Sequence, residues 1–478
     1  MLLSARAHAL DTEITSTTGA QGYTLRSPFG EPVITRRRFM QTLGLNVVDP
    51  DANADAMQVS FRMRLRLDAD FGITPEELKN GGQPYQYVPG LEQAPVDLMY
   101  GYLDVRNLAG KVLSARLGRQ YVIDSLGWWS FDGALARVEL PAYLAFETYA
   151  GYEQRGGLPL STPRFERDGV WRGDRTGLDA SLYPEYLQSG PAPAYGAMIE
   201  TFGVKHLHLR GAYRRVWNTG TVSTRTAGYL AGATPITISG MRMSSERLGA
   251  SADLMFEEVG DLRTGAIYDL YSSLFSSYYA SLDAFPAQWL TVGVDADRFV
   301  PTFDADSIFN WFAHYPMTTL TGRAEASITR RIDVAASGGV RWVETSDDPQ
   351  TYTAASQGSV SRMADVLGRL SARHRTKSGS EGVSATLERG ERGHREGTDI
   401  FAERWLQARY RLMARVSLYD WNDALRPDRS ATSFGYVLGT GYRPGPLTNI
   451  LVEWEHSTNH LVGQRYRVMA WLQMAVTK

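Results

Sequence analysis

The sequence predicts an all-β fold, a transmembrane antiparallel β-barrel of about 18 strands, within a range of about 16 to 22. The clearest observation is residues 59–67, where apolar and polar side chains strictly alternate. A second observation is that this alternation recurs along the whole chain in segments of about ten residues, with no helical period between them. A third is that no run of about 18 apolar residues exists, which excludes a membrane-spanning helix.

The alternation in this segment separates an apolar face from a cationic face. Side chains in a strand alternate between the two faces of the sheet. Phe61 and Leu65 therefore share one face, while Arg62, Arg64 and Arg66 share the other. In a membrane barrel the apolar face contacts lipid and the polar face lines a water-filled lumen. The pattern also predicts a location in the bacterial outer membrane.

The chain is predicted to form one domain, because no break in composition divides it. Residues 1–19 are expected to be a signal-peptide remnant or a polar N-terminal tail, since residues 7–9 match the small-residue cleavage pattern. Residues 20–478 are expected to form a single outer-membrane barrel. Short turns, such as 107–110 and 443–446, alternate with long polar segments, and this asymmetry assigns the short turns to the periplasmic side.

The charge balance and the absence of cysteine exclude several classes of function. Without cysteine there is no disulfide, no thiol catalysis and no cysteine zinc site. A net charge of −2 gives no reason to expect a nucleic-acid partner. All but five of the 50 cationic residues are arginine. Many of these arginines fall on the lumen-facing register of the predicted strands.

That lumen-facing register carries the candidate functional residues. Wherever one face of a strand is clearly apolar, the opposite face is assigned to the lumen. An arginine that faces lipid near the bilayer midplane costs about 2–4 kcal/mol, so these arginines must line water or protein. The residues predicted to line the pore are Arg36, Arg38, Arg62, Arg64, Arg66, Arg119, His206, His208, Arg210, Arg214, Arg323, Arg465 and Arg467.

An arginine-lined lumen predicts an anion-preferring pore, because rings of arginine concentrate and pass anions. The alternative is a lumen closed by arginine–carboxylate pairs, since Glu453 and Glu455 also fall on the lumen register. His206 and His208 stand two residues apart without a third ligand, so we expect polar lumen residues there and not a metal site. No metal, cofactor or catalytic set is predicted, and the protein is not expected to be an enzyme.

Residues 95–137 carry a resemblance to a known family. The segment contains the motifs LGRQ at 117–120, SLGWW at 125–129 and FDGA at 131–134. It resembles the Gly-Arg-Gln strand and the following inward-folding loop of the alginate-export porins and allied outer-membrane porins. The resemblance implies a barrel of about 18 strands, an arginine-lined constriction to which Arg119 belongs, and passage of an acidic polysaccharide or small anions. Strict alternation puts Arg119 on the face of Leu117, so a bulge or the start of a loop is required there.

The sequence supports two functions from different classes. The first is an outer-membrane channel with an arginine-rich lumen that passes anionic solutes or exports an acidic polysaccharide. Its expected partners are membrane lipid, lipopolysaccharide, the anionic cargo and periplasmic export components. The second is a structural or docking barrel of an envelope-spanning machine, with a plugged lumen. A barrel enzyme that acts on lipid would need a catalytic set at the outer rim, and the sequence shows none.

Overall fold

A computed structural model describes residues 10–49, 56–70, 96–154, 191–219, 222–225, 235–302, 315–345, 361–424 and 428–477. These residues contain no helix that is long and apolar enough to cross a membrane. They form a tight turn at Leu108–Lys111 and 24 strands: β1 (Asp11–Arg26), β2 (Pro32–Val48), β3 (Gln58–Asp70), β4 (Val96–Asn107), β5 (Leu113–Asp124), β6 (Gly127–Leu140), β7 (Leu144–Glu153), β8 (Pro193–Thr201), β9 (Leu207–Asn218), β10 (Val222–Arg225), β11 (Pro235–Ile238), β12 (Arg242–Phe256), β13 (Gly260–Asp269), β14 (Leu274–Ala287), β15 (Leu290–Phe299), β16 (Met317–Thr329), β17 (Ile332–Thr345), β18 (Ser361–Thr376), β19 (Gly379–Gly390), β20 (Gly393–Leu406), β21 (Tyr410–Asp423), β22 (Ser430–Gly445), β23 (Thr448–Asn459) and β24 (Gly463–Thr477).

Twenty-two of these strands form one closed antiparallel sheet. Each strand pairs with the next along the chain, except that β9 pairs with β12 because β10 and β11 form a separate hairpin. The first strand pairs with both β2 and β24, which joins the two edges of the sheet. Closure satisfies the backbone hydrogen bonds of the wall without an exposed edge, as a bilayer requires. The predicted antiparallel barrel is confirmed, with 22 strands where the resemblance implied about 18.

The connections between strands differ at the two ends of the barrel. Antiparallel order places Asp11 and Thr477 at the same end as the turn Leu108–Lys111 and the connection at 446–447. The strands that flank the long segments 71–95 and 155–190 meet at the opposite end. Short turns face the periplasm in outer-membrane barrels. We therefore expect the end that carries both termini to face the periplasm.

Large apolar side chains cover the outside of the wall. Val366, Leu370 and Leu438 are 54–57% exposed although they lie in the middle of long strands. Their neighbours in sequence, such as Arg369, point to the opposite face, because side chains alternate along a strand. An apolar band of this extent on a water-soluble protein would be a liability, whereas in a membrane barrel it contacts lipid.

The wall begins earlier in the chain than the sequence pattern predicts. β1 starts at Asp11, so residues 11–19, assigned by the pattern to an N-terminal tail, are part of the barrel. Thr17, for example, pairs with Thr42 on one side and with Gln473 on the other. β1 consists largely of Thr, Ser, Gly and Gln, so the apolar alternation that marks the other strands is weak there.

Candidate functional site

Three arginines on β3 form a row along the lumen wall. Arg62, Arg64 and Arg66 alternate with the outward side chains of Phe61 and Leu65. Phe61 is 37% exposed, as expected of a residue on the lipid face. The register of β3 against β2 runs without a break past all three arginines, and the register against β4 shifts once, between Arg64 and Leu65.

The arginines of this row differ in their partners. Arg66 is 2% exposed, and its Nη2 lies 2.9 Å from Asp97 Oδ2. Arg62 is the direct cross-strand partner of Tyr102 on β4, and Arg64 Nη2 donates to Thr42 Oγ1 at 3.2 Å. Within the described part of the chain, neither Arg62 nor Arg64 has a carboxylate partner. Among the described residues, two positive charges on this wall therefore lack a neutralising acid.

Most other predicted pore residues are held by carboxylates on neighbouring strands. Arg323 of β16 contacts Asp283 at 2.7 Å and Asp295 at 2.8 Å, so one guanidinium is shared by two acids. The register places all three residues on one face of the sheet. The charge of this part of the wall is negative and not positive.

The wall around the closure of the barrel is also partly neutralised. Arg465 and Arg467 of β24 both bond the carboxylate of Glu455 on β23, which is 7% exposed. On the other side of β1, the backbone of Arg36 pairs with Tyr23 and that of Arg38 pairs with Gln21. Tyr23 also pairs with Arg467 of β24, so Arg36 and Arg467 lie opposite the same residue of β1. Only the backbone of Arg36 lies within the described residues.

A polar cluster on β8 and β9 contains two further predicted residues. Glu200 accepts a hydrogen bond from Arg137 Nη1 at 2.5 Å and another from Arg210 Nε at 3.3 Å. His208 Nε2 lies 3.4 Å from the same carboxylate, and its Nδ1 lies 3.8 Å from Asp253. Sequence reasoning missed Arg137 and Glu200, because neither stands in a run of alternating charges.

His206 occupies a different environment from His208. It lies in the turn before β9 with a φ of 65°, and its Nδ1 is 2.7 Å from the Met255 carbonyl oxygen. Its ring stacks on Phe256. The positive φ interrupts the strand, which corrects the expectation that His206 and His208 share one face. In the described part of the chain, no three acidic or histidine side chains are grouped to hold a metal ion.

The hairpin formed by β5 and β6 leaves the wall of the barrel. β5 pairs with β4 only as far as Gly101 opposite Arg119. Beyond that point β5 continues to pair with β6, up to Asp124 opposite Gly127. Residues 120–130, which we call the hairpin tip, therefore pair with each other but not with β4 or β7.

A row of three glycines marks the line at which the sheet folds. Gly118, Gly133 and Gly151 are direct partners across β5, β6 and β7. A Cβ atom at any of them would lie 2.1–2.3 Å from a backbone oxygen, which no side chain can tolerate. Gly118 also has a φ of +129°, a conformation that favours glycine. Only glycine permits this close approach of neighbouring strands.

We call this row of glycines the fold line. Before the fold line, the face of β5 that carries Leu117 points outward, and beyond it the same face points into the lumen. The Tyr121 ring packs edge-on against Tyr100 at 6.0 Å, and Tyr100 pairs with the lumen-facing Arg64. Arg119 lies on the same face of β5 as Tyr121. It binds Asp132 through two hydrogen bonds of 2.7 and 2.8 Å. The irregularity that the sequence requires at Arg119 is thus present, and Arg119 is paired with an acid.

An aromatic cluster holds the hairpin tip against the inner wall. Trp129 stacks on Phe131 at 4.8 Å, and both rings contact Tyr149 of β7 at 5.4 and 5.3 Å. Val122 and Val216 of β9 complete this buried cluster. The tip therefore crosses β7 and β8 on the inner face of the wall and occupies part of the lumen.

The comparisons with solved structures extend over almost the whole chain. OpdK of Pseudomonas aeruginosa, determined with vanillate, is 8% identical with a TM-score of 0.44, covering 98% of this chain and 99% of that chain. A BenF-like porin of Pseudomonas fluorescens Pf-5 is 11% identical with a TM-score of 0.41 over the same shares. The P pilus usher (PapC) translocation pore is 9% identical with a TM-score of 0.48, covering 97% and 100%. No protein-family profile matches the sequence. No curated protein matches it either.

The architecture defines the class of protein. A closed antiparallel sheet whose outer face is apolar and whose inner face is charged is the form in which β-strands cross a bilayer. The protein is an outer-membrane β-barrel, and its outer face contacts membrane lipid. The similarities to solved porins and to the usher pore are limited to this barrel architecture.

The fold line gives a first prediction. Gly133→Ala adds a methyl group 2.1 Å from the Ala150 carbonyl oxygen, and the nearest atoms are all backbone atoms of β7, which cannot shift as a flexible side chain could. We expect the free energy of unfolding in detergent or lipid to fall by about 1–3 kcal/mol, as for other overpacked sites. Gly22→Ala on β1 is the control, since nothing lies within 4 Å of its added methyl group. Equal stability of the two variants would contradict a tight fold line at Gly133.

Proposed function

We propose that the protein is an outer-membrane channel that passes small anionic solutes. The observation that carries the proposal is the pair Arg62 and Arg64, which line the lumen without a carboxylate partner among the described residues. Fixed positive charges in a cleft with low-dielectric walls raise the local concentration of anions. Arg64 also lies near the hairpin tip, because its cross-strand partner Tyr100 packs against Tyr121 of the tip.

Small anions suit this wall better than an acidic polysaccharide. A polysaccharide carries one charge on many successive sugars and would need cations repeated along the full length of the lumen. Here most of the predicted cations are bound to acids, as Arg323 is to Asp283 and Asp295. Export of an acidic polysaccharide would in addition require periplasmic partners for the barrel.

A structural barrel with a plugged lumen is the second candidate. The observation that favours it is the extent of charge pairing on the inner wall, where Glu455, for example, neutralises Arg465 and Arg467 together. Charges satisfied in this way stabilise the wall and do not select ions. Such a barrel would contact lipid and lipopolysaccharide on its outside and dock other envelope components.

Single-channel recording in a planar bilayer separates the two candidates. We expect the purified full-length protein to insert and to give discrete current steps that scale with salt concentration. Protein that inserts into the bilayer, shown by protection of its strands from protease, and yet gives no current would favour the plugged barrel. An inserted barrel without current would leave the fold unchanged and would overturn the channel function.

A further inference from the structure

We propose that the hairpin tip is a lid over the pore and that Asp124 and Arg214 form the latch that holds it closed. The proposal rests on the proposed channel function, and it assigns to Arg214 a positioning role in place of ion selection. Opening of the lid would free the part of the lumen that the tip occupies. The tip would then swing about the glycine row at Gly118, Gly133 and Gly151.

The latch joins residues far apart in the chain. Arg214 Nη2 of β9 lies 3.0 and 3.2 Å from the two oxygens of Asp124, at the end of β5. Arg214 Nε also donates to the Tyr149 hydroxyl at 3.2 Å, and that hydroxyl donates to Asp124 Oδ2 at 3.3 Å. The Arg214 guanidinium lies over the Trp129 ring, 5.1 Å from its centre. The Arg214 guanidinium therefore contacts the Asp124 carboxylate, the Tyr149 hydroxyl and the Trp129 ring at once.

A socket on β12 receives the end of the tip. A Cβ atom added to Gly249 would lie 2.7 Å from Leu126 Cδ2 and 2.8 Å from Ser125 Oγ. Gly249 pairs with Ala212 and Ile267, so it lies on the lumen face in the middle of the wall. The absence of a side chain at 249 is what lets Leu126 reach this wall.

The closed position lacks strand pairing on its β5 side and leaves two buried polar atoms without partners among the described residues. The tip lacks hydrogen bonds to β4 beyond Gly101. Closure also buries Ser125 Oγ and Gln120 Oε1 without a hydrogen-bond partner. An unpaired polar atom that is removed from water destabilises the state that buries it. The tip is attached at the latch, the socket and the aromatic cluster. On its β6 side, Trp129 Nε1 also donates to Glu153 at 2.9 Å and Ser130 Oγ to Gln154 at 2.7 Å. Two of its polar groups would be better hydrated when it opens.

A disulfide that fixes the tip to its socket provides the test. The natural chain has no cysteine, so Ser125→Cys with Gly249→Cys introduces the only pair. Leu126→Ala is added to both the oxidised and the reduced samples, because it removes the methyl group that a Cβ atom at 249 would meet at 2.7 Å. The 2.8 Å between Ser125 Oγ and a Cβ atom at 249 suits a disulfide. We expect the bond to form in membranes, the oxidised channel to be restricted to its lowest current level, and reduction to restore higher levels.

Release of the latch should have the opposite effect. Arg214→Gln is expected to raise the mean conductance and to add fluctuations between current levels. Arg247→Gln is the matched control, because it removes a neighbouring lumen arginine that is paired with Asp269 at 3.3 Å and lies outside the tip. The control should leave the current levels unchanged.

The outcomes separate the lid from the channel. Failure of the disulfide to form would show that the tip does not lie at Gly249 and would overturn the lid. Identical currents for oxidised and reduced protein, together with wild-type currents for Arg214→Gln, would overturn it as well. Absence of current in every variant would overturn the channel function, and the lid with it, while disulfide formation would still report the position of the tip.

Discussion

Replacing Arg62 and Arg64 together with serine is expected to remove most of the anion selectivity of the channel. These are the two arginines of the β3 row that lack a carboxylate partner in the described part of the chain. The reversal potential in a salt gradient, measured in planar bilayers, should move from the anion-selective side toward zero or to the cation-selective side. The serine variant should still insert, because both positions face the lumen and not lipid.

A charge-neutral substitution controls for the loss of arginine itself. Arg341 of β17 and Glu388 of β19 form an ion pair on the same inner face of the barrel. Changing both to glutamine removes one charge of each sign and leaves the net charge of the wall as it was. This double variant should keep the wild-type reversal potential. If both double variants shifted the reversal potential equally, Arg62 and Arg64 would not be the residues that determine the anion selectivity.

A single arginine on the lipid face is expected to destabilise the barrel strongly. Leu370 of β18 is 57% exposed on the apolar outside of the wall. Leu370→Arg should lower the free energy of unfolding in a bilayer by about 2–4 kcal/mol if the side chain sits near the midplane. Equilibrium unfolding of the barrel in lipid vesicles with a denaturant measures this difference.

The neighbouring residue supplies the control on the same strand. Arg369 faces the lumen and has no carboxylate partner among the described residues, so Arg369→Leu removes no ion pair. We expect it to change stability by no more than about 0.5 kcal/mol, as for other exposed positions. A large loss at Arg369 with tolerance at Leu370 would mean that the two faces of β18 are exchanged.

Local alternation predicted the faces of individual strands well. Arg62 and Phe61 fall on opposite sides because the period of a strand is two, and nothing else is needed to infer it. The same rule failed where alternation is weak. In β1 the side chains are mostly polar, so residues 11–19 were not recognised as part of a strand. It also failed at His206, whose positive φ places it outside the strand, because β9 begins only at Leu207.

Contacts between distant strands were beyond what the sequence could show. The pairing of Arg214 with Asp124 spans 90 residues and depends on the inward fold of the hairpin. That fold depends in turn on three glycines that become neighbours only through the register of β5, β6 and β7. Two of them, Gly118 and Gly133, lie in the motifs singled out from the sequence, but Gly151 carries no signal of its own. The neutralisation of Arg323 by two acids likewise follows from register alone.

The reversal potential of the wild-type channel at two salt concentrations tests the central claim most directly. Fixed arginine charge acts over about 10 Å at roughly 0.1 M salt but only about 3 Å at 1 M. We therefore predict a potential of anion-selective sign at low salt that shrinks toward zero at high salt. A potential of cation-selective sign at low salt would show that the acids of the lumen dominate, and it would contradict an anion channel.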